Sequence, residues 1–475
     1  MSSQTPVTEF EIIVLGMGPG GEELAGVLAE RGRSVLAVDE RLFGGECPYF
    51  GCIPTKMMVR GAEVLAEGRR INLMAGSADI SPDYTPVADR IRDEATDDWD
   101  DTVAVERLEG KGGTFVRGTG RLAGRDDDGR LRVVVGDVTY RAEHVAVATG
   151  TAPAVPDIDG LAELRTPYDA SGLLWTNREV VHARTAPASL IVIGGGPIGC
   201  EMAQAFARFG TKVDVVAREP RLLPRDEPDA GDVLATVFER EGITVHAGAT
   251  PVRARRTDDG VEVALADGTV LTAAKVLCAA GRVPSLPSVG LDSVGLDPSA
   301  RALTVDDQMR VLRDGEPVEG VYAIGDIAGH GAFTHLSVWQ ARVLAAHLLG
   351  DDDLFGGYHG LAWTTFTDPE VGRVGMSEQE ARDAGLTVRV GVAQIASNTR
   401  GWIHGPGNDG FVKVVEDADR GILVGATVVA PGGGEILGLL TVAVHARVPL
   451  HTLRTMHYVF PTQHRAVLEA IGAIE

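Results

Sequence analysis

The chain has 475 residues, and this length predicts about three domains. Hydrophobic residues make up 44% of it and charged residues 23%, proportions that are typical of a folded globular protein and exclude a disordered one. Its formal net charge of −23 repels polyanions, so nucleic acids and anionic membranes are not expected as partners and small molecules are.

The N-terminus carries no pattern of export. Residues 1–16 lack the basic region and long apolar run of a signal peptide, and no stretch approaches the roughly 18 apolar residues of a membrane span. We therefore expect a cytoplasmic protein with no membrane partner. Because a reducing cytosol does not sustain structural disulfides, a close cysteine pair there is expected to be catalytic or metal-binding.

The first predicted unit covers residues 11–40. A β-branched apolar run, a glycine cluster, an amphipathic segment and a second apolar run predict a strand, a tight turn, a helix and a strand. The cluster has the pattern G-x-G-x-x-G, formed by Gly16, Gly18 and Gly21. These glycines allow a tight turn, the approach of a pyrophosphate and close helix packing. The second strand ends in Asp39 and Glu40, where an acid is expected to accept hydrogen bonds from an adenosine ribose.

Two cysteines follow in the stretch GGECPYFGCIPTK, residues 44–56. Three interpretations are open: a structural disulfide, half of a metal site or a redox couple. Structural zinc sites need two further ligands, commonly a second close pair, and Cys200 and Cys278 offer none. Both of those cysteines lie in apolar segments and are expected to be buried and inert.

A helix is predicted to begin after Cys52, with Pro54 in its first turn. The positive end of its dipole would lower the pKa of both thiols and favour the reactive thiolate. Lys56 stands four residues after Cys52, on the same helix face, and adds a cation.

The second copy of the unit covers residues 189–218, with its own G-x-G-x-x-G at Gly194, Gly196 and Gly199. Ala217 stands where the first unit has an acid, and Arg218 and Arg221 follow it. Two cations without a ribose acceptor are expected to bind the 2′-phosphate of NADPH, and the alternative is that both are solvated surface residues.

Two other segments have simpler patterns. Residues 80–110 predict an exposed, charge-rich helical stretch with a structural role only. Residues 410–430 alternate around turn residues and predict an antiparallel hairpin in a C-terminal α+β domain.

Several separated motifs resemble the flavoprotein pyridine nucleotide-disulfide oxidoreductases, the family of dihydrolipoyl dehydrogenase, glutathione reductase and mercuric reductase. Besides the glycine loops and the cysteine stretch, the motifs are VAVATGTAP (145–153), AAGRVPS (279–285), VYAIGDIAG (321–329) and FTDPEVGRVGMSE (366–378). The resemblance implies an α/β fold with two Rossmann-like domains, one for FAD and one for NAD(P), and a C-terminal α+β dimerisation domain. The expected boundaries are 1–154 and 285–352 for the two parts of the FAD domain, 155–284 for the NAD(P) domain and 353–475 for dimerisation.

The resemblance also implies FAD, a nicotinamide nucleotide and a homodimer whose C-terminal domain completes the partner's active site. Arg218 and Arg221 favour NADPH as that nucleotide, with NADH as a possible substitute. It makes Cys47 the interchange thiol, Cys52 the charge-transfer thiol, and Lys56 a neighbour of flavin N5 with Glu201 as its ion-pair partner. The implied catalytic residues are Cys47, Cys52, Lys56, Glu201, Phe460 and His464. The implied cofactor-binding residues are Gly16, Gly18, Gly21, Asp39, Glu40, Gly45, Lys56, Thr149, Gly150, Asp326 on the ribityl chain, Gly194, Gly196, Gly199, Arg218, Arg221 and Gly281. No metal ligand is expected.

The family pattern breaks near the C-terminus. Where the family has H-P-T-x-x-E, this chain has FPTQHR, with Phe460 at the His position and Arg465 at the Glu position. The family's His protonates the leaving thiolate, and a positioned acid contributes about 10²- to 10⁴-fold in rate. His464 and His457 are the nearby imidazoles, and His464 is interpreted either as an active-site group or as a surface or interface residue.

These observations predict an NADPH-dependent flavoprotein that passes electrons through a Cys47–Cys52 disulfide to a disulfide, quinone, metal ion or other small acceptor. The alternative is a carbon-sulfur cleaving oxidoreductase/carboxylase similar to 2-ketopropyl coenzyme M oxidoreductase/carboxylase, with Phe460 excluding protons. A third hypothesis is a non-enzymatic binding subunit, which the retained Cys47, Cys52, Lys56 and Glu201 disfavour.

Overall fold

The structure is a computed structural model that describes residues 8–475. The strands, in chain order, are β1 (Thr8–Leu15), β2 (Val35–Asp39), β3 (Thr114–Arg117), β4 (Gly120–Arg125), β5 (Leu131–Val135), β6 (Val138–Val147), β7 (Thr151–Pro153), β8 (Leu174–Trp175), β9 (Ser189–Ile193), β10 (Lys212–Ala217), β11 (Thr244–Ala247), β12 (Pro251–Thr257), β13 (Gly260–Leu265), β14 (Val270–Ala273), β15 (Lys275–Cys278), β16 (Arg282–Pro284), β17 (Arg310–Arg313), β18 (Glu316–Ala323), β19 (Ala362–Thr365), β20 (Glu370–Gly375), β21 (Val388–Gln394), β22 (Phe411–Asp417) and β23 (Ile422–Ala430).

The α-helices, in chain order, are α1 (Pro19–Glu30), α2 (Glu46–Phe50), α3 (Cys52–Met74), α4 (Thr85–Arg90), α5 (Thr102–Gly110), α6 (Asn177–Val180), α7 (Pro197–Arg208), α8 (Pro228–Arg240), α9 (Thr334–Leu348), α10 (Glu378–Asp383), α11 (Thr399–His404), α12 (Gly433–His445), α13 (Leu450–Thr455) and α14 (Arg465–Gly472). The described chain forms two compact units. The first takes in residues 8–54, 91–153 and 282–357, and the second residues 55–90, 154–281 and 358–475.

The first unit is built on a sheet whose central strands are parallel, in the order β3-β2-β1-β6-β18. β1 pairs with β2 from Ile12 opposite Val35, and its apolar run is buried because helices α1 and α9 pack with it in one core. β7 and β16 pair antiparallel at the point where the chain leaves this unit and returns to it. The first glycine loop lies at the carboxyl end of β1.

The second unit contains three sheets: a parallel sheet, the antiparallel three-stranded sheet β12-β13-β14 and an antiparallel C-terminal sheet. Strands β11-β10-β9-β15-β8 are all parallel, and their continuous apolar sequences are typical of strands buried on both faces. The C-terminal sheet, β19-β20-β23-β22-β21, is antiparallel, with α12 and α14 packed in its core. The predicted hairpin at 410–430 is confirmed as β22 and β23. The expected α/β class with a C-terminal α+β domain is confirmed.

The charge-rich stretch 80–110 differs from its prediction as one helical segment. It forms α4, a π-helical turn over Ile91–Ala95 and α5, and the residues before α5 include Asp97, Asp98 and Trp99 with φ of 48°, 53° and 61°. Left-handed backbone costs a non-glycine residue about 1–2 kcal/mol. Within the first unit the Trp99 indole N–H donates to the carbonyl oxygen of Tyr49 at 3.1 Å, so this segment supports the cysteine stretch. This contact is itself structural, and the structural role of the stretch stays a prediction.

Candidate active site

The first glycine loop forms a cradle with one open side. A Cβ on Gly16 would lie 2.5 Å from the carbonyl oxygen of Ala148, and one on Gly21 would lie 2.0 Å from the oxygen of Gly16. Gly18, by contrast, would place a Cβ in open space, and it precedes α1 with no side chain capping the helix. The unsatisfied N–H groups at the start of α1 therefore fit a pyrophosphate approaching over Gly18.

The acids after β2 have different surroundings. Asp39 accepts the backbone N–H groups of Met17 at 2.7 Å and of Arg41 at 2.8 Å, one on each carboxylate oxygen. Each of these oxygens has a further lone pair for a ribose hydroxyl. Glu40 is exposed and accepts the Thr119 hydroxyl at 2.9 Å. Of the two predicted ribose acceptors, Asp39 therefore has the side chain whose position is fixed by more hydrogen bonds to the backbone.

A group of polar residues lies where β6, β7 and β18 end. Asp326 accepts the Thr151 hydroxyl, and Arg282 donates to the Thr151 carbonyl oxygen at 2.7 Å. The Thr149 hydroxyl is buried and has no hydrogen-bond partner among residues 8–475. A buried hydroxyl without a partner is costly, so this orphaned group fits a bound cofactor, as the cradle at Gly18 does. Gly150, beside it, has a φ of 60°.

The cysteine stretch runs directly over the first glycine loop. Gly45 has a φ of 70°, and a Cβ on it would lie 2.7 Å from the Cα of Gly18. Cys47 lies in the short helix α2, and Cys52 begins α3. Both are half-buried free thiols, and the Cys52 Sγ lies 3.3 Å from the Thr334 hydroxyl. The turn between the two helices therefore brings the two sulfurs together beside the cradle.

The two thiols do not share the lowered pKa predicted from the helix dipole. The pKa of Cys47 is raised by its hydrogen bond to Cys52, by burial and by negative charge on Cys52. The prediction is wrong for Cys47 because the hydrogen bond to Cys52 and burial, which both raise its pKa, outweigh a helix end. The Cys47 thiol is therefore the harder of the two positions to assign as a thiolate from helix geometry alone. Cys200 and Cys278 are buried as predicted, and burial raises the pKa of each.

Lys56 and Glu201 form an ion pair in the second unit. The Lys56 Nζ donates to Glu201 at 2.7 Å and lies 4.7 Å from the centre of the Phe366 ring. Glu201 is 4% exposed, and its other oxygen accepts the Phe366 backbone N–H at 2.9 Å. A buried carboxylate with two charge-assisted donors holds the ammonium in one position.

The second glycine loop repeats the first. A Cβ on Gly194 would lie 2.3 Å from the Ala279 oxygen and one on Gly199 2.0 Å from the Gly194 oxygen, whereas Gly196 again faces open space before α7. Gly281, at the end of the unit, has a φ of 121°.

The region after β10 presents cations. Ala217 is buried, Arg218 is 81% exposed with Glu219 as its ion-pair partner at 3.1 Å, and Arg221 is exposed. Both guanidinium groups are therefore accessible to a phosphate.

The C-terminal segment replaces the family's acid–base pair with an aromatic–cation pair. Phe460 is 63% exposed, and the Arg465 guanidinium lies 5.2 Å from the centre of its ring. His464 contacts Thr462 through a hydrogen bond of 3.4 Å and packs near the Tyr458 ring, while His457 is exposed. Neither imidazole is bonded to a carboxylate in the described chain, so neither forms the family's His–Glu arrangement.

Comparison with known proteins identifies the family. Residues 10–341 match Pyridine nucleotide-disulphide oxidoreductase, and residues 361–471 match the dimerisation domain of that family. A dihydrolipoyl dehydrogenase of Haloferax volcanii is 33% identical over 478 residues, covering 98% of this chain and 96% of the relative. This chain belongs to the pyridine nucleotide-disulphide oxidoreductase family.

Other relatives agree with that assignment. A mercuric reductase of Streptomyces lividans is 29% identical over 95% of this chain and 93% of the relative. The structure of LpdA from Mycobacterium tuberculosis superposes with a TM-score of 0.84 at 28% identity, covering 98% and 99% of the two chains. The HOCl-induced flavoprotein disulfide reductase RclA of Escherichia coli shares the fold, with a TM-score of 0.82 at 24% identity over 98% and 100%.

Family membership establishes the coarse chemistry. Enzymes of this family are FAD-dependent oxidoreductases that use a pyridine nucleotide and a disulfide centre, and FAD and a pyridine nucleotide are expected here. The dimerisation domain indicates a homodimer. No helix within residues 8–475 is long and apolar enough to cross a membrane.

Sequence reasoning missed two contacts of this pyridine nucleotide-disulphide oxidoreductase. Thr334 lies 282 residues from Cys52 and stands in no pattern that marks it as a thiol partner. The Trp99 contact with Tyr49 depends on left-handed backbone at three residues that are not glycine. The position of Thr334 at the start of α9, soon after the GDIAG motif, is the one signal that links it to the site.

Proposed function

We propose that the protein is an NADPH-dependent flavoprotein oxidoreductase that passes electrons through a Cys47–Cys52 disulfide to a small acceptor. The observation that carries this proposal is the cysteine pair itself. The two thiols share a hydrogen bond beside an open glycine cradle, and both are only half-buried. Neither a structural disulfide nor a metal site would require these properties.

The residues have distinct roles in this proposal. FAD, when bound, supplies two-electron transfer from the nicotinamide to the cysteine disulfide. Cys52, with the Thr334 hydroxyl at 3.3 Å, retains the thiolate that results, and Cys47 attacks the acceptor. Lys56 supplies a positive charge that Glu201 holds in place. Thr149, Asp326 and the backbone over Gly18 would hold the cofactor.

The acceptor must react without the family's general acid. In the proposed homodimer the C-terminal segment of one subunit meets the cysteine pair of the other, and it presents Phe460 and Arg465 there. A benzyl ring has no exchangeable proton, and a guanidinium is not deprotonated in proteins. We therefore propose acceptors that need no proton from the enzyme: an activated disulfide, a quinone or a metal ion.

An anaerobic titration with NADPH tests the dithiol role. We expect two-electron reduction to produce a long-wavelength absorbance band, because the Cys52 thiolate then lies against oxidised flavin. The same titration on Cys278→Ser protein should give the same band, since that thiol is buried and donates to the Ala154 carbonyl oxygen. Bleaching of the flavin with no such band would contradict the proposal.

Nucleotide preference gives a second expected outcome. Replacing both Arg218 and Arg221 by Ala should raise the KM for NADPH by about tenfold to a hundredfold, because each guanidinium forms charge-assisted hydrogen bonds with a phosphate. The KM for NADH should stay unchanged. Steady-state kinetics with both nucleotides and one quinone measures the two values.

Arg225→Ala is the matched control for this experiment. Arg225 is an exposed cation of the same segment, and its backbone oxygen accepts a hydrogen bond from Arg373. A wild-type preference for NADH, or an equal loss with the control variant, would rule out the assignment of Arg218 and Arg221.

A further inference from the structure

Residues 91–101, termed the clamp segment, contact the cysteine stretch within the first unit. They combine two uncommon backbone features: a π-helical turn over Ile91–Ala95, and three consecutive left-handed residues that are not glycine, Asp97, Asp98 and Trp99. Backbone of this kind persists only where the surrounding contacts offset its cost, and it is concentrated at functional sites. The clamp segment is therefore a candidate for a role beyond packing.

Internal hydrogen bonds fix the shape of the clamp segment. The Asp98 backbone N–H donates to the Arg92 carbonyl oxygen at 2.7 Å, which ties the left-handed residues to the π-helical turn. The buried Thr96 hydroxyl donates to the Ile91 carbonyl oxygen at 3.0 Å. These bonds hold the clamp segment in one conformation.

Asp101 anchors the end of the clamp segment. Its buried carboxylate accepts two hydrogen bonds from the Arg117 guanidinium, at 2.8 and 2.7 Å, at the end of strand β3. It also accepts the backbone N–H of Phe43, the residue directly before the cysteine stretch, at 2.5 Å. The clamp segment is thus attached both to the sheet and to the start of the stretch.

The clamp segment reaches the middle of the cysteine stretch at Tyr49. The Trp99 indole N–H donates to the Tyr49 carbonyl oxygen at 3.1 Å. Tyr49 lies in the last turn of α2, where carbonyl oxygens have no partner within the helix. The Tyr49 and Phe50 side chains are buried. The backbone between Cys47 and Cys52 is therefore held near its midpoint by a residue from outside the stretch.

A held midpoint matters for a cysteine pair that opens and closes. This step rests on the proposed function, in which the Cys47–Cys52 disulfide is reduced and re-formed. Closing the ring of a disulfide costs chain entropy, and a turn that is already ordered loses less of it. Holding the turn therefore favours the disulfide over the dithiol.

We propose that Trp99 is a positioning residue that stabilises the Cys47–Cys52 disulfide by holding the Tyr49 carbonyl. Exchange with dithiothreitol measures that stability. One thiolate of the reagent attacks the protein disulfide, and its second thiol then cleaves the mixed disulfide. Two electrons and two protons pass to the protein, so that the products are the protein dithiol and cyclic oxidised dithiothreitol.

Trp99→Phe tests this proposal because it removes the indole N–H and keeps an aromatic ring. We expect its equilibrium constant for reduction by dithiothreitol to be about three- to tenfold higher than that of the wild type, the effect of one lost hydrogen bond. Trp99→His retains a ring N–H and should restore part of the difference. The FAD-loaded proteins are equilibrated anaerobically over a series of dithiothreitol ratios and trapped with N-ethylmaleimide. Mass spectrometry then gives the fraction alkylated at both Cys47 and Cys52.

Two variants serve as matched controls. Asp98→Gly keeps the left-handed backbone, because glycine adopts its φ of 53° without strain. Trp402→Phe removes an exposed tryptophan of the second unit. Both should have the wild-type equilibrium constant. An unchanged constant in Trp99→Phe, or an equal shift in either control, would overturn the proposal and leave the clamp segment with a structural role alone.

The same coupling is measurable in the wild type. Because linkage is reciprocal, a hydrogen bond that stabilises the disulfide is itself stabilised by the disulfide. Solvent exchange of the Trp99 indole N–H, followed by NMR on protein labelled with 15N-tryptophan, should be slower in the disulfide state by about three- to tenfold. This measurement decides the question if Trp99→Phe does not fold, and equal exchange rates in the two states would overturn the proposal. Failure of the proposed function is distinguishable, since the wild type would then form no Cys47–Cys52 disulfide at any dithiothreitol ratio.

Discussion

Replacing Phe460 by His together with Arg465 by Glu is expected to raise kcat/KM for an unactivated dialkyl disulfide by about 10²- to 10³-fold. The double substitution gives this chain the family's H-P-T-x-x-E sequence at residues 460–465. A protonated imidazole then donates to the leaving thiolate, and the carboxylate orients it. 2-Hydroxyethyl disulfide is a suitable substrate because it is neutral and its thiol is a poor leaving group, and NADPH oxidation measures its reduction.

The pH dependence separates a restored acid from a change in packing. In the wild type the rate should rise with pH, because the raised pKa of Cys47 limits its thiolate fraction. In the double variant the rate gained from the imidazole should fall as the pH rises through the imidazole pKa, about 6.5, because only the protonated imidazole is an acid. Phe460→Leu controls for loss of the ring. An unchanged rate in the double variant would mean that this segment does not meet the cysteine pair.

The same experiment separates the two enzyme classes. If the protein were a carboxylase that uses Phe460 to exclude protons, the double variant should lose carboxylation while it gains disulfide reduction. A pure disulfide reductase shows only the gain.

The glycine loops were predictable because their constraints are local. Gly16 and Gly194 both have a positive φ, and a Cβ on either would lie within 2.5 Å of a carbonyl oxygen. Only glycine fits there, so the sequence pattern reports a requirement of the local backbone. The Lys56–Glu201 pair was inferred from resemblance, and the structure joins the two residues at 2.7 Å. The parallel sheets follow from repeated strand–helix periodicity.

The electrostatics of the site was not predictable in the same way. The helix dipole predicts a lowered pKa for both thiols, but the pKa of Cys47 depends on its distance from Cys52 and on burial, which the sequence does not state. The Phe460–Arg465 stack was visible only as two separate departures from a motif. Its meaning depends on a contact between residues five apart across a turn.

The second large effect is expected from the two cysteines, each replaced by Ser. Cys47→Ser should lower disulfide reduction by at least about 10⁴-fold, because the attacking sulfur is lost. It should nevertheless show the long-wavelength band before any NADPH is added, since Cys52 can no longer form a disulfide and keeps its thiolate near the Thr334 hydroxyl. Cys52→Ser should lose the same activity and show no band.

Reduction of a simple quinone distinguishes these losses from a failure to bind cofactor. A quinone that takes electrons directly from the flavin should be reduced by both variants at close to the wild-type rate, and by Cys278→Ser as the matched buried control. A band in Cys52→Ser and none in Cys47→Ser would reverse the two roles. Because the pKa of Cys47 is raised by its hydrogen bond to Cys52 and by burial, the asymmetry between the variants tests the electrostatics of the site as well as its chemistry.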